Sequence, residues 1–319
     1  MKRILVTGAT GQIGSELTLE LRKRYGSEHV VAGGHVRSPG RVLAESGPFQ
    51  SIDCTRIDTI AEVVARYRID TIYHLAAILS AAAEKNPHLG WNVNINGLYN
   101  ILEVAREFRC AVFVPSSIAV FGPDTPPDHT PQVTIQRPDT IYGISKVTGE
   151  LLCDYYVKRY GVDVRGVRYP GLVSYNTPPG GGTTDYAVDI YFSAVRSGQY
   201  TCYLKAGTML DMMYMPDALR AAIELMETPP DRILHRNAYN VAAMTVSPEA
   251  IAEAIRKYLP DFSLTFEIDP LRQAIADSWP NSMDDSAARQ EWGWSPRFDL
   301  KAMTHDMIEN ISRMTREND

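Results

Sequence analysis

Apolar residues follow two alternating rhythms along the first half of this chain. Near-continuous apolar runs cover Arg3–Thr7, His29–Ala32, Phe49–Asp53, Thr71–Leu75, Ala111–Ser116 and Asp163–Tyr169, as in parallel strands buried on both faces. Amphipathic stretches fill the gaps at Gln12–Tyr25, Ile57–Tyr67, Trp91–Phe108 and Tyr142–Tyr160, and predict helices. Strands alternating with helices imply an α/β fold, a doubly wound parallel sheet with right-handed crossovers. After Tyr169 the pattern weakens. Pro178, Pro179 and Gly180-Gly181-Gly182 read as a loop, and shorter elements come after it. The expected division is a sheet domain over residues 1–170 and a smaller C-terminal lobe over 171–319, with some later segments returning to the sheet.

The first strand runs into Thr7-Gly8-Ala9-Thr10-Gly11-Gln12-Ile13-Gly14, a GxxGxxG pattern at a strand-to-helix junction. Glycine permits positive φ in the turn and close approach of the backbone to a pyrophosphate. The helix start offers unpaired N–H groups and the positive end of a dipole, and a third glycine lets helix and strand pack closely. A merely structural turn can use glycines as well, but this position in the first βαβ unit predicts a dinucleotide site and hence a Rossmann sheet. The acid that usually binds the ribose at the end of the second strand is missing, because that strand ends Ala32-Gly33-Gly34-His35-Val36-Arg37. His35 can hydrogen-bond a ribose hydroxyl, and Arg37 can accommodate a 2′-phosphate. Asp53, after the third strand, is either a partner for the adenine amino group or a cap or turn acid. NAD is the expected cofactor.

Composition narrows the field. Of the 319 residues, 45% are hydrophobic and 22% charged, enough for a sizeable core. A net charge of −6 gains little from phosphate backbones, so no nucleic-acid partner is expected. No apolar run approaches the ~20 residues of a membrane span, and the opening MKRILVTG enters a strand with no signal-like apolar segment. Cys54, Cys110, Cys153 and Cys202 are scattered without a CxxC pair. They read as reduced thiols of a cytoplasmic protein, with no metal site.

Tyr142-Gly143-Ile144-Ser145-Lys146 opens a helix and gives Y-x-x-x-K, whose ends share one helical face. A lysine ammonium beside a phenol favours the phenolate, which makes tyrosine usable as a base near neutral pH. The motif alone also occurs on ordinary helix surfaces. Earlier in the chain a strand ends Val114-Pro115-Ser116-Ser117, with two hydroxyls where parallel sheets bind ligands. Ser117 is the candidate for holding a substrate oxygen, with Ser116 as its support.

Together, TGATGQIG, Leu75-Ala76-Ala77, Asn94 with Asn96-Gly97, Ser117 and Tyr142/Lys146 occur in an order that resembles the extended short-chain dehydrogenase/reductase superfamily. The resemblance implies catalysis by Ser117, Tyr142 and Lys146. It implies cofactor contacts by Gly8, Gly11, Gln12, Ile13, Gly14, His35, Arg37, Asp53, Leu75, Ala76, Ala77, Asn94, Tyr142, Lys146 and Tyr169. Asn94 would hold a kinked helix and a proton-relay water. The second half narrows the resemblance. Arg168-Tyr169-Pro170-Gly171, GGGTTDYA at Gly180–Ala187, Met212-Met213-Tyr214-Met215-Pro216-Asp217 and Ser278-Trp279-Pro280-Asn281 look like the short-chain-type L-threonine 3-dehydrogenases, relatives of UDP-galactose 4-epimerase. That likeness implies oxidation of L-threonine at Cβ to 2-amino-3-oxobutyrate with NADH formed. Ser80, Ser117, Tyr142, Gly182 and Thr184 would be the substrate contacts, and the long helices 91–108 and 142–160 would form a homodimer. Ser80 equally suits a helix N-cap.

Two other functions compete. A nucleotide-sugar epimerase or dehydratase of this superfamily carries an Arg that clamps the diphosphate, at the place where this chain has Leu210; an aliphatic side chain does not replace a bidentate Arg–phosphate pair. The adjacent Asp211 stands where the threonine enzymes tend to have Pro. A catalytically silent dinucleotide sensor would keep the fold but has no need of Ser117, Tyr142 and Lys146 together.

Overall fold

The computed structural model describes residues 1–176 and 182–318. Pro178, Pro179 and the first two of the three consecutive glycines, expected to form a loop, lie outside the described residues. The chain divides into two units. One comprises Met1–Val120, Thr140–Arg168 and Leu219–Tyr239, the other Phe121–Asp139, Tyr169–Ala218 and Asn240–Asp319.

The first unit is built on a sheet of six parallel strands. Strands β1 (Ile4–Thr7), β2 (Val30–Gly34), β3 (Phe49–Ser51), β4 (Thr71–His74) and β5 (Ala111–Phe113) take the order β3-β2-β1-β4-β5, and Val164–Arg165 completes the edge. All four residues of β1 and of β4 are buried, as their unbroken apolar runs demand. Helices Gln12–Tyr25, Ile57–Tyr67, Gly97–Phe108 and Ile141–Tyr160 make the crossovers. Ile60, Val63 and Val64 of the second and Ile101, Leu102 and Ala105 of the third join Leu5, Ile72 and Val112 of the sheet in one core. Strand order reverses between β1 and β4, and at such a point ligands meet the carboxyl ends of the strands.

Two of the expected strands break where the backbone requires it. The run Ala111–Ser116 stops at Phe113, and a second short strand, Ser116–Ser117, begins after Pro115; a proline cannot donate to a ladder. The run Asp163–Tyr169 splits into Val164–Arg165 and Val167–Tyr169 around Gly166, where a Cβ would lie 2.3 Å from the Val114 carbonyl oxygen. The expected helix Trp91–Phe108 is also interrupted. Pro87–Trp91 is α-helical, Asn92–Asn96 forms a π turn, and the α-helix resumes at Gly97. Short helices at Arg41–Glu45 and Ser80–Lys85 span too few residues to show a 3.6-residue rhythm.

The second unit has its own core, in which Tyr186, Ile190 and Tyr191 of helix Tyr186–Ser197 meet Met212, Tyr214, Ile251, Met303 and Met307. Strand Leu210–Tyr214 pairs in parallel with Gly171–Val173 and antiparallel with Met244–Val246. The unusual Asp211 is buried here. Its carboxylate accepts from the Thr245 hydroxyl at 2.5 Å and from the Met283 N–H at 2.7 Å, so it fastens a neighbouring strand and the 282–285 segment to its own strand. Burial pushes its pKa up despite both bonds.

Candidate active site

The turn after β1 is a cradle that only glycine can line. Gly8 has φ +70°, and a Cβ there would lie 2.6 Å from the Ala76 nitrogen and the Leu75 carbonyl carbon of the turn after β4. The two turns at the switch point therefore touch backbone to backbone. A Cβ on Gly14 would lie 2.1 Å from the Gly8 oxygen, so the first turn of the helix rests directly on the loop. Gly11 donates to Gly8 O at 2.9 Å and stands at the N-cap without a side-chain cap, and no acid occupies the first helical turn. The N–H groups of Gln12 and Ile13, which have no intrahelical acceptor at a helix start, are thus available to an anion with no competing carboxylate. These residues fit the pyrophosphate of a dinucleotide.

The missing ribose acid has a spatial counterpart. His35 Nε2 lies 3.7 Å from Asp53 Oδ2, which places a carboxylate beside the residue that follows β2. Burial opposes charge on Asp53. The Thr55 hydroxyl and N–H, which donate to Oδ1 at 2.7 and 2.9 Å, and the nearby His35 nevertheless hold its pKa below the ordinary value. Asp53 is therefore an ionised turn acid with one oxygen turned toward His35. Arg37 is exposed.

The catalytic candidates converge at the carboxyl end of β5. The helix Ile141–Tyr160 begins at Thr140, whose side chain accepts from Gly143 N. This cap presents Tyr142 in the first turn and Lys146 one turn on. Lys146 Nζ lies 5.5 Å from the Tyr142 ring centre and donates to Pro115 O at 2.7 Å. Ser117, whose hydroxyl oxygen accepts from Ala119 N at 3.2 Å, lies near enough to the Tyr142 phenol to favour the phenolate. The expectation that Lys146 lowers the tyrosine pKa is not met: burial dominates and pushes Tyr142 up to about 12. Burial likewise lowers Lys146 to about 8, against the opposing charge of Glu150. Both partners lose solvation together, so each resists its charged form.

Asn94 sits buried in the π turn and binds both sides of the site. Its Oδ1 accepts from Ile78 N at 2.8 Å, and its Nδ2 donates to Ile78 O and to Ser145 Oγ, each at 3.1 Å. Ser145 in turn donates to Tyr142 O at 2.7 Å. The kink thus ties the loop after Leu75-Ala76-Ala77 to the Tyr142 helix.

Sequence reasoning missed a set of polar residues behind Lys146. A cavity of about 30 Å³, room for roughly one water, is lined by His74, Asn94, Ser145, Lys146, Glu150 and Asn237 among others. His74 ends β4 fully buried, its Nδ1 2.8 Å from Thr7 Oγ1; burial first and Lys146 second lower its pKa to about 3. Glu150 receives Arg168 in two hydrogen bonds of 2.9 and 2.8 Å and the Ser116 hydroxyl at 2.5 Å. The two adjacent serines therefore diverge, Ser117 toward Tyr142 and Ser116 toward Glu150. One signal was available: Glu150 comes four residues after Lys146 and must share its face.

Ser80 is buried at the first helical position of Ser80–Lys85, and the N-cap is Leu79, so the serine is not the cap. In the second unit the Tyr169 hydroxyl donates to Ala218 O at 2.6 Å. Gly182 N donates to Asp185 Oδ2 at 2.7 Å, and Thr184 O accepts the N–H of Ala187 at 3.1 Å. The N-cap residue of the helix that begins at Tyr186, Asp185, makes no side-chain cap to it.

A glycine cradle on a parallel sheet with a Ser/Tyr/Lys set at the adjoining strand end defines a dinucleotide-dependent enzyme of the extended short-chain dehydrogenase/reductase type. The chain belongs to the NAD dependent epimerase/dehydratase family, whose model matches residues 4–242, and NAD is its cofactor. An uncharacterized epimerase/dehydratase from Staphylococcus saprophyticus is 54% identical over 312 residues, covering 98% of this chain and 97% of its own. The X-ray structure of an L-threonine dehydrogenase from Clostridium difficile superposes with a TM-score of 0.97 at 54% identity, covering 98% of each chain. A monomeric L-threonine 3-dehydrogenase from a metagenome gives a TM-score of 0.93 at 48% identity, over 98% of this chain and 99% of that one.

Proposed function

We propose that this protein oxidises L-threonine at the Cβ hydroxyl to 2-amino-3-oxobutyrate while NAD is reduced to NADH. The observation that carries the reading is the placement of Lys146 Nζ 5.5 Å from the Tyr142 ring centre with Ser117 near the phenol, in a chain about half identical to threonine dehydrogenases along nearly its whole length. Buried Leu210, where a sugar-nucleotide enzyme needs a diphosphate clamp, speaks against the epimerase alternative.

In this reading Ser117 and Tyr142 hold the substrate hydroxyl oxygen, and Tyr142 takes its proton. NAD, when bound, would supply the hydride acceptor for Cβ and the positive charge of its nicotinamide ring. Lys146, with a pKa of about 8, is mostly charged at neutral pH and favours the phenolate form of Tyr142, which becomes the neutral phenol as it takes the proton. Lys146 would also hold the nicotinamide ribose. Gly8, Gly11, Gln12, Ile13 and Gly14 would cradle the pyrophosphate, and His35 and Asp53 would meet the adenosine end. Ser80, Gly182 and Thr184 complete the substrate contacts.

A homodimer through the faces of 91–108 and 142–160 belongs to the same reading, supported by the exposure of Tyr99, Leu151 and Tyr155 on those helices (48%, 63% and 51%). Sedimentation at micromolar concentration tests it, and a monomer would remove it. A cytoplasmic location is supported by four unpaired, buried cysteines; among the described residues no helix is long and apolar enough to cross a membrane.

The deciding experiment tracks NADH absorbance with L-threonine, D-threonine and L-serine, each with NAD and NADP, and follows UDP-galactose separately by chromatographic resolution of its 4-epimer. Turnover of L-threonine, with none of D-threonine or UDP-galactose, supports the assignment. Absence of L-threonine turnover, or epimerisation of UDP-galactose, overturns it.

A further inference from the structure

In the second unit one tyrosine hydroxyl holds the segment that carries Gly182 and Thr184. The Tyr203 oxygen accepts the N–H of Tyr186 at 2.7 Å, and its O–H faces the carbonyls of Thr183 at 3.1 Å and Gly182 at 3.4 Å. The same phenol thus receives the first N–H of the helix Tyr186–Ser197, which has no side-chain cap of its own, and ties down the carbonyls just before it. Burial raises the pKa of Tyr203, so the group stays a neutral donor. Its ring is fixed as well. The Arg272 guanidinium carbon lies 4.2 Å from the ring centre, and the Tyr186 ring meets it edge-on at 6.2 Å. Arg272 belongs to the helix Pro270–Asp277, which runs directly into Ser278-Trp279-Pro280. At the other end of the segment Asp185 Oδ2 holds Gly182 N at 2.7 Å.

Such anchoring answers a physical need. Glycine-rich backbone loses more freedom on ordering than any other, and Gly182 has no side chain with which to restrain itself. A rigid phenol delivered from another part of the unit can supply the restraint, because its own ring is clamped on two sides.

We propose that Tyr203 is a positioning residue for the substrate: its hydroxyl fixes the Gly182–Thr184 backbone in the arrangement that meets the small polar substrate, without touching that substrate itself. The proposal rests on the reading that Gly182 and Thr184 are substrate contacts.

Tyr203→Phe keeps the ring under Arg272 and removes only the hydroxyl. Loss of a hydrogen bond of this kind corresponds to a change of roughly two- to tenfold. The expected result is a KM for L-threonine raised by about that factor, with kcat within twofold and the Kd for NAD unchanged. Thr184→Ala, assayed in parallel, should raise the same KM. If Thr184→Ala raises KM and Tyr203→Phe lowers only the melting temperature, the role of Tyr203 is refuted while the substrate reading stands. If Thr184→Ala leaves KM unchanged, the substrate reading fails and the proposal fails with it. Should the Phe variant melt without cooperativity, Arg272→Gln, which unclamps the ring but leaves the hydroxyl, replaces it; an unchanged KM there counts against the proposal, and a raised KM supports it.

Discussion

Lowering the pH should load its cost onto His74. This side chain is fully enclosed, and burial together with the Lys146 charge lowers its pKa to about 3 from an ordinary 6.5. The unfolded chain takes up a proton at this residue as pH falls through 6.5, and the folded chain does not do so until about pH 3. Between those values the unfolded state binds more protons, so this group's contribution to stability is complete above 6.5 and is lost progressively as pH falls. At ~1.4 kcal/mol per pH unit the loss is about 2 kcal/mol at pH 5, and roughly 4–5 kcal/mol by pH 3. Carboxylates contribute to the same slope, so the comparison is with His74→Asn, whose amide can serve Thr7 as donor or acceptor. The variant's packing loss is independent of pH. Urea denaturation of both proteins at pH 7.5 and pH 5 should show the native protein losing about 2 kcal/mol more than the variant. Equal losses would mean that His74 titrates normally in the fold, and the reasoning about its enclosure would be wrong.

Tyr142→Phe should lower kcat by roughly 10²–10⁴-fold while calorimetric binding of NAD is retained; near-native turnover would remove Tyr142 as the base. Glu150→Gln breaks one side of a pair in which both side chains are only 7% exposed and should cost about 3–5 kcal/mol in urea denaturation. The double variant with Arg168→Met should recover much of it, and a double variant as unstable as the single one would contradict the pairing. Gly14→Ala forces a methyl to within 2.1 Å of the Gly8 oxygen, an overpacking worth about 1–3 kcal/mol. Fluorescence titration should show weaker NAD binding, and an unchanged Kd would argue against direct contact between cradle and cofactor.

Much of the first unit was legible because parallel strands buried on both faces must be apolar throughout, and because GxxGxxG and Y-x-x-x-K are local patterns with local reasons. The limits were equally physical. Pro115 and Gly166 end strands early, and both residues were visible, but only the paired backbone shows that Gly166 lies against Val114. The helices at Arg41–Glu45 and Ser80–Lys85 are shorter than two periods of the pattern used to find helices. The approach of His35 to Asp53 joins residues at the ends of two strands, and needs the neighbour relation of β2 and β3, which spacing does not supply. Most consequential was the sign of the tyrosine shift. A helical face brings lysine and phenol together, but whether attraction or lost solvation dominates depends on enclosure, which only the fold reveals.

The π turn at Asn92–Asn96 has a consequence for how this chain can change length. A π turn holds one residue more than the α-helix it interrupts, and each residue in an α-helix turns the direction of the next by about 100°. Removing a single residue there would let the stretch close into a regular helix with its flanking segments nearly in phase, and the side chains inside it would change the direction they face. The deletion would look harmless, since the straight helix keeps every backbone hydrogen bond. Yet Asn94 would swing away from Ile78 and Ser145, and the loop after β4 would lose its tie to the Tyr142 helix. This stretch can therefore exchange many side chains but cannot be shortened, so its length is held more tightly than its composition.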